Sequence, residues 1–261
     1  MVELRNPARE RLEAGEVSIG IGIRLARSAD IASMMKTAGM DWLFIDLEHG
    51  ALSLDQTAQI SCAALASGIA PLVRVPRGEM AMATRALDGG ALGIIMPQCE
   101  TADEAREIVD RMYYAPEGSR GVVGGLPQFG FANPDMTSAM AAMNKSMLLV
   151  VMLETPDAIA NADEIAAVDG IDIVQIGTND LSAASGIPGQ VGHDKIVANY
   201  ETVAAACKKH GKWMGMGGVP SPELQEKYIS MGVRFLLAGQ DMSVLINAAA
   251  NTVDRVRGYN I

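Results

Sequence analysis

The 261-residue sequence has little aromatic content, few cysteines and no long hydrophobic run. It contains 4 Phe, 5 Tyr and 2 Trp residues. The three cysteines, Cys62, Cys99 and Cys207, lie far apart without a C-x-x-C spacing, which disfavours a disulfide framework and a thiolate zinc site. The longest apolar run, residues 147–153, is far shorter than the ~20 residues that span a bilayer, and residues 1–16 contain no hydrophobic signal segment. We therefore expect a cytoplasmic protein that does not enter a membrane.

An excess of positive charge is also absent. The chain has 21 Lys+Arg against 31 Asp+Glu, a formal net charge of −10, and no stripe of basic residues. Such a chain is repelled by phosphate backbones and anionic lipids, so nucleic acid and membrane surfaces are disfavoured as partners. Hydrophobic residues make up 49% and charged residues 20%, which is typical of a globular protein with a sizeable core. The 17 methionines are expected to fill much of the core that aromatic rings fill elsewhere.

Short apolar runs alternate with longer segments of helical periodicity. The predicted strands are Val17–Ile23, Trp42–Asp46, Leu72–Val75, Leu92–Met96, Leu148–Leu153, Ile173–Ile176, Lys212–Gly217 and Val233–Ala238. The helical segments include Ser28–Ala38, Leu54–Ser67, Ala102–Arg111, Lys195–His210, Glu223–Met231 and Asp241–Arg257. Continuously apolar strands are typical of a parallel sheet covered on both faces. Eight such units in this length predict one (β/α)8 TIM barrel spanning residues 1–261, rather than a doubly wound sheet.

Charged residues lie at the ends of four of the predicted strands. They are found in Asp46-Leu47-Glu48-His49-Gly50, at Arg74, at Glu154 and in Gly177-Thr178-Asn179-Asp180. The carboxyl ends of the strands form the active-site face of a barrel, and buried charge there is costly unless it is paired or binds a metal. These residues predict a functional site, with a structural salt-bridge network as the alternative.

Two carboxylates at these strand ends, Glu154 and Asp180, are the candidate metal ligands. Without a cluster of Cys or His residues, they suit a hard cation such as Mg²⁺ or Mn²⁺ better than zinc. The alternatives are structural, since Glu154 precedes the helix start at Thr155-Pro156 and Asp180 lies in the first turn of the next helix.

The remaining strand-end residues suggest substrate binding and proton transfer. Arg74 is a candidate for holding a carboxylate or stabilising an enolate oxygen, with an ion pair to Glu48 as a compatible alternative. Residues 177–182 place backbone N–H groups at a helix start, where an anion is expected to bind. His49 is the candidate acid or base, and we expect Asp46 to orient its ring. Neither His193 nor His210 ends a strand, and both are assigned no catalytic role.

Beyond the strand ends, several short segments occur in a recognisable order. They are DWLFIDLEH (41–49), VRVP (73–76), LDGGA (87–91), ADEAR (102–106), GSRG (118–121), LET (153–155) and IGTNDLS (176–182). Together they resemble the HpcH/HpaI aldolases, metal-dependent (class II) pyruvate aldolases such as 4-hydroxy-2-oxoheptanedioate aldolase and 2-dehydro-3-deoxyglucarate aldolase. The resemblance extends over nearly the whole chain and implies a barrel of the phosphoenolpyruvate/pyruvate type.

The resemblance also implies a chemistry and an assembly. A divalent cation (Mg²⁺, Mn²⁺ or Co²⁺) would be held by Glu154 and Asp180, and pyruvate would bind it. Arg74 would contact the keto oxygen, with N–H groups near Asn179 and Asp180 on the carboxylate, and His49 with Asp46 would move protons. A homohexamer, a trimer of dimers, is implied, with Asp88 directed to a neighbouring subunit's site. The loop 118–125, within the Gly- and Pro-rich stretch 113–135, would lie near the aldehyde end.

The sequence departs from the family pattern at two positions. Met152 stands where well-known members usually have Gln, which removes an amide near the metal and makes that wall apolar. Leu47 stands where those members often have Gly, which could narrow the mouth of the barrel. The aldehyde partner is therefore not transferred from the resemblance.

Three other functions remain as alternatives. A related lyase acting on a CoA thioester, like malyl-CoA or citrate lyase, shares the same enolate chemistry, but the expected additional C-terminal segment is missing. A non-catalytic barrel that binds oxo acids should have lost a ligand or the base, and none is lost here. A phosphate-binding isomerase barrel is suggested only by Gly215-Met216-Gly217-Gly218 and Gly239.

Overall fold

The computed structural model describes residues 3–259. Eight strands form a closed parallel barrel in sequence order, with β1 paired to β8. They are β1 (Ser18–Ile23), β2 (Trp42–Asp46), β3 (Ala70–Arg74), β4 (Gly93–Met96), β5 (Leu148–Leu153), β6 (Ile173–Gly177), β7 (Trp213–Gly217) and β8 (Val233–Gln240). The predicted (β/α)8 barrel is confirmed, with most strand ends within two residues of the predicted positions.

Helices connect the strands and cover the outside of the barrel. They are α1 (Pro7–Glu13), α2 (Ile31–Thr37), α3 (Leu54–Ser67), α4 (Met80–Asp88), α5 (Ala102–Met112), α6 (Met136–Ser146), α7 (Pro156–Ala160), α8 (Ala162–Ala166), α9 (Thr178–Ala184), α10 (Asp194–His210), α11 (Pro222–Ser230) and α12 (Asp241–Arg257). Capping boxes begin two of them, with Ser53 and Gln56 at α3 and with Thr101 and Glu104 at α5. Between α5 and α6, the irregular stretch 113–135 contains one 3-10 turn, Pro127–Phe129.

Two apolar layers hold the barrel together. Inward-facing side chains fill its interior, where Trp42 stacks on Phe235 with ring centroids 3.9 Å apart. A Cβ at Gly20 would lie 2.2 Å from the Trp42 ring, so this position on β1 must be glycine for the ring to fit. Leu12 of α1 joins the same interior cluster and closes the amino end. A larger cluster packs the outer faces of the strands against the helices.

The last helix, α12, packs differently from the others, because none of its residues is buried. Several large apolar side chains along it are exposed, including Val244, Leu245 and Ile246. Within residues 3–259, no helix is long and apolar enough to cross a membrane.

Candidate active site

Polar side chains from several strand ends line one cavity of about 250 Å³ at the carboxyl end of the barrel. The polar side chains in its lining include Arg24, His49, Arg74, Gln175, Asn179 and Asp180. Apolar side chains of Phe44, Met152 and Leu237, which belong to the interior cluster, line its floor. The structure thus brings together strand-end residues that lie more than 100 positions apart in the chain.

Arg74, at the end of β3, is held in place by two carboxylates of the β2 end. Its Nε and Nη2 donate to the two oxygens of Asp46 at 3.0 and 2.7 Å, and its Nη1 lies 3.0 Å from Oε2 of Glu48. Burial alone would raise the pKa of Asp46, but Arg74 and two backbone N–H groups bring that pKa below its ordinary value. The contacts with Asp46 and Glu48 engage three of the five guanidinium N–H groups, so Arg74 is fixed and still able to donate to a substrate oxygen.

The prediction that Asp46 orients the His49 ring is wrong. Asp46 is fully buried, and its Oδ1 accepts the backbone N–H groups of Glu48 and His49, both at 3.1 Å, in addition to Arg74. This tight turn directs the His49 ring toward solvent, where its side chain is 52% exposed. The nearest carboxylate to the ring is that of Glu48, with 3.7 Å between Nε2 and Oε2. His49 therefore lies at the cavity with Glu48, not Asp46, as its acidic neighbour.

Glu154 directly follows β5 and is 4% exposed. Its Oε2 accepts the backbone N–H of Gln98 at 2.8 Å, and its Oε1 faces Gly177, where a Cβ would approach to 2.4 Å. Burial and the negative charge of Asp180 raise the pKa of Glu154 to about 7. Within residues 3–259, the Glu154 carboxylate therefore accepts one hydrogen bond, and the negative charge of Asp180 opposes its ionisation.

The donor set at this position fits a divalent cation. Around the cavity, the carboxylates of Asp46, Glu48, Glu154 and Asp180 outnumber the guanidinium groups of Arg24 and Arg74 by two. Within residues 3–259, no three His, Cys, Asp or Glu side chains converge on one point, so Glu154 and Asp180 would supply two protein ligands. Mg²⁺ is commonly bound by one or two carboxylates, with water and substrate oxygens completing its shell.

Arg24 and Gln98 were not predicted as site residues. Arg24 directly follows β1, and its Nη2 donates to the backbone carbonyl of His49 at 2.7 Å while its Nε lies 3.5 Å from Oδ2 of Asp46. Arg24 could have been predicted from the sequence, because it is a charged residue at the end of a predicted strand, like those chosen at the other strand ends. Gln98 acts through its backbone and has an unusual positive φ of 52°, which the amino-acid sequence does not indicate.

Two glycines at the end of β7 and directly after it pack against polar side chains of β6 and α9. A Cβ at Gly217 would lie 3.0 Å from Nε2 of Gln175, and one at Gly218, where φ is +79°, would lie 2.9 Å from Nδ2 of Asn179. The close approach of the Gln175 and Asn179 side chains explains why both positions are glycine. The segment 177–180, predicted to bind the carboxylate, lines the cavity beside them.

Comparison with known proteins agrees with this arrangement. The model of the HpcH/HpaI aldolase/citrate lyase family matches residues 24–248. The chain belongs to this family. It is 40% identical to a 4-hydroxy-4-methyl-2-oxoglutarate aldolase of Hapsidospora irregularis, over 100% of this chain and 98% of the relative. It is 34% identical to a 2-keto-3-deoxy-L-rhamnonate aldolase of Escherichia coli O157:H7, over 94% and 91%. An HpcH/HpaI aldolase structure from Desulfitobacterium hafniense DCB-2 superposes with a TM-score of 0.91 at 29% identity, covering 97% of each chain.

Two features expected from the HpcH/HpaI family lie outside this cavity. Asp88, at the end of α4, pairs with Arg120 at 2.7 Å, and the Arg120 side chain is 2% exposed and stacks over Tyr114. None of the residues 118–125 lines the cavity within the described chain. The Asp88 side chain is 40% exposed.

Proposed function

We propose that this chain is a divalent-metal-dependent class II aldolase that reversibly cleaves 4-hydroxy-2-oxo acids to pyruvate and a carbonyl compound. The named relatives bear out the prediction of an aldolase, a carbon–carbon lyase. The single observation that carries the metal-dependent mechanism is the buried carboxylate of Glu154, which the negative charge of the exposed Asp180 opposes, at the same end of the barrel as the fixed Arg74.

Glu154 and Asp180 would hold the cation, which polarises the 2-oxo group and stabilises negative charge developing on it. Arg74 donates to the same oxo oxygen with N–H groups that Asp46 does not occupy. Because Asp46 and Glu48 fix the guanidinium before substrate binds, little reorganisation is needed as charge develops. Segment 177–180 lies where it can contact the substrate carboxylate.

His49 is the proposed base for the C4 hydroxyl group. His49 takes the hydroxyl proton and the C3–C4 bond breaks. The electron pair of that bond becomes part of the pyruvate enolate, and C4 becomes the carbonyl carbon of the second product. Return of a proton to C3 completes pyruvate. Glu48, 3.7 Å from the ring, supplies the negative charge that stabilises protonated His49 during this transfer.

The acceptor side of the cavity contains a second permanent positive charge, Arg24. Cleavage of 4-hydroxy-4-methyl-2-oxoglutarate, the compound in the name of one relative, gives two pyruvate molecules, so its acceptor fragment also carries a carboxylate. Arg24 lines the same cavity as Arg74 and is positioned to bind that carboxylate. The neutral acceptor fragment of 2-keto-3-deoxy-L-rhamnonate has no such group.

A homo-oligomer, predicted as a hexamer built as a trimer of dimers, is part of the proposal. The uncovered apolar side chains along α12 and the half-exposed Asp88 support it. Light scattering coupled to gel filtration tests the subunit number, and a monomer would contradict it. A cytoplasmic location remains a prediction.

The function is tested by incubating the purified protein with 4-hydroxy-4-methyl-2-oxoglutarate or 2-keto-3-deoxy-L-rhamnonate and measuring released pyruvate. We expect release with Mg²⁺ or Mn²⁺ and none after chelation by EDTA. Cleavage of malyl-CoA with no cleavage of either 2-oxo acid would favour the CoA-thioester lyase instead. Binding of pyruvate without any turnover would favour the non-catalytic barrel.

A further inference from the structure

Gln175 lies in the middle of β6 and is 0% exposed. Within residues 3–259, neither its Oε1 nor its Nε2 has a hydrogen-bond partner. A buried amide without partners is destabilising, by an amount comparable to a lost hydrogen bond or more. Such a residue is therefore expected to have a partner that binds from outside the chain.

The Gln175 amide faces the cavity that contains Arg74 and Asp180. Gln175 lines this cavity, whose floor is otherwise formed by the apolar side chains of Phe44, Met152 and Leu237. Gly177, two positions further along β6, faces the same side of the strand one layer nearer the mouth and adds no side chain above the amide. Gln175 thus places a polar group beside the apolar part of the lining, under the position where the substrate would bind.

The neighbouring strand keeps this space open. A Cβ at Gly215 would lie 2.9 Å from Cβ of Gln175, and one at Gly217 would lie 3.0 Å from its Nε2. Any larger residue at either position would push the amide away from its present place. The glycines of β7 therefore maintain room for a glutamine that makes no hydrogen bond with the described chain.

Met152 provides the second observation. In the parallel pairing of β5 with β6, Met152 is the direct partner of Gln175. The β5 residue beside Gln175 is therefore apolar and offers its amide no hydrogen-bond partner.

We propose that the side-chain amide of Gln175 hydrogen-bonds the 2-oxo acid part of the substrate from the floor of the cavity. This inference rests on the proposed function. The amide N–H donates to a carboxylate or oxo oxygen of the ligand, so Gln175 is a specificity-determining residue for 2-oxo acids.

The test replaces Gln175 by methionine, which has a similar length and no polar amide. We expect pyruvate binding in the presence of Mg²⁺, measured by calorimetry, to weaken about 10- to 100-fold because a hydrogen bond to a charged ligand is lost. The melting temperature of the ligand-free protein should rise by about 2–4 °C, since a buried amide without partners is removed. Mg²⁺ affinity without pyruvate should not change. Gln175→Leu repeats the comparison if Gln175→Met folds poorly.

Gln128→Met is the matched control. The Gln128 Nε2 donates to the carbonyls of Leu87 and Ala91 at 2.7 and 2.9 Å, so this change should lower the melting temperature and leave pyruvate binding intact. Pyruvate affinity of Gln175→Met within twofold of the wild type would overturn the inference, as would a fall in melting temperature like that of Gln128→Met. If the wild-type protein itself binds no pyruvate with Mg²⁺, the proposed function fails rather than the role of Gln175 alone.

Discussion

The two ends of the barrel both contain poorly exposed carboxylates, but their hydrogen bonding differs. At the amino end, Asp172 precedes β6 and accepts from Arg9 at 2.6 Å, from the N–H of Leu149 at 2.8 Å and from the Tyr113 hydroxyl at 3.2 Å. Asp41 precedes β2 and accepts from the side chain of Arg11 and the N–H of Ile19. Each carboxylate there is neutralised by an arginine of α1.

At the carboxyl end, compensation is incomplete. Glu154 accepts one hydrogen bond, from the N–H of Gln98, and is repelled by Asp180. Gln175 has no hydrogen-bond partner in the described chain. Arg74 is fixed by Asp46 but retains free donors. The difference is that the two amino-end carboxylates are paired with arginines, whereas the carboxyl end leaves polar groups without partners in the described chain, at some cost in stability, as a binding site would.

The largest effect on activity is expected from Glu154→Gln. The amide oxygen retains the bond from Gln98, but the charge that would hold the cation is lost, so kcat/KM should fall by about 10⁴-fold or more. The melting temperature should stay the same or rise, because a buried charge repelled by Asp180 is removed. Calorimetry with Mn²⁺ checks the ligand role, and unchanged metal affinity would refute it.

His49→Asn removes the proposed base without disturbing the buried ion pairs. We expect kcat to fall by about 10²-fold or more, with metal affinity preserved and little change in melting temperature, since the side chain is 52% exposed. Steady-state kinetics together with metal calorimetry measure the two effects. A rate near that of the wild type would remove His49 from the mechanism.

Arg74→Met affects both catalysis and stability, because it leaves Asp46 and Glu48 without their cation. Unfolding free energy should fall by about 3–5 kcal/mol, as for other broken buried pairs, and kcat/KM by about 10²-fold. Urea denaturation measures the first effect and pyruvate release the second. Arg74→Lys keeps the positive charge but loses the bidentate contact with Asp46, so its unfolding free energy and kcat/KM should lie between those of Arg74→Met and the wild type. Values equal to those of the wild type would contradict the positioning role.

Arg24→Gln should change substrate preference. Cleavage of 4-hydroxy-4-methyl-2-oxoglutarate, with its second carboxylate, should slow by about 10-fold in kcat/KM, since a charge-assisted contact is lost. Cleavage of 2-keto-3-deoxy-L-rhamnonate, with a neutral acceptor, should change by less than about twofold. An equal fall in kcat/KM for both substrates would show that Arg24 supports the site generally and does not bind the acceptor carboxylate.

Asp172→Asn at the amino end should leave activity unchanged. It weakens the contacts to Arg9 and Leu149, so the unfolding free energy should fall by about 1–3 kcal/mol. The control is Asp163→Asn, since Asp163 pairs with Lys209 and His210 on the surface and exposed pairs contribute about 1 kcal/mol or less. Loss of metal binding in Asp172→Asn would contradict the division between the two ends.

Strand periodicity was enough to predict the barrel, because eight apolar runs of similar length can close in few other ways. The same reasoning placed Arg74, Glu154 and Asp180 together at the carboxyl face, since each lies at or just after the end of a strand and all strand ends meet there. It could not find the direction of the His49 ring, which depends on the turn that Asp46 makes with the next backbone N–H groups. A Cβ at Gly50 would lie 2.2 Å from the Asp46 carbonyl oxygen, a closeness that only the folded turn reveals.

Gln175 shows a second limit of sequence reasoning. A single glutamine in the run Ile173–Ile176 looks like an ordinary interruption of an apolar strand. Its significance depends on strand register, which places it beside Met152, and on Gly215 and Gly217 of the next strand. Register between strands that are distant in the chain is set by packing of the whole barrel, so one sequence alone does not supply it.

Exchange of the pyruvate methyl protons in D₂O, followed by NMR, tests most directly whether the carboxyl end forms a metal-dependent enolate site. We expect exchange with Mg²⁺ or Mn²⁺, its loss after EDTA treatment and in Glu154→Gln, and its retention in Asp172→Asn. Exchange that persists in EDTA, or is equally fast in Glu154→Gln, would contradict the assignment of Glu154 and Asp180 as the groups that bind the cation.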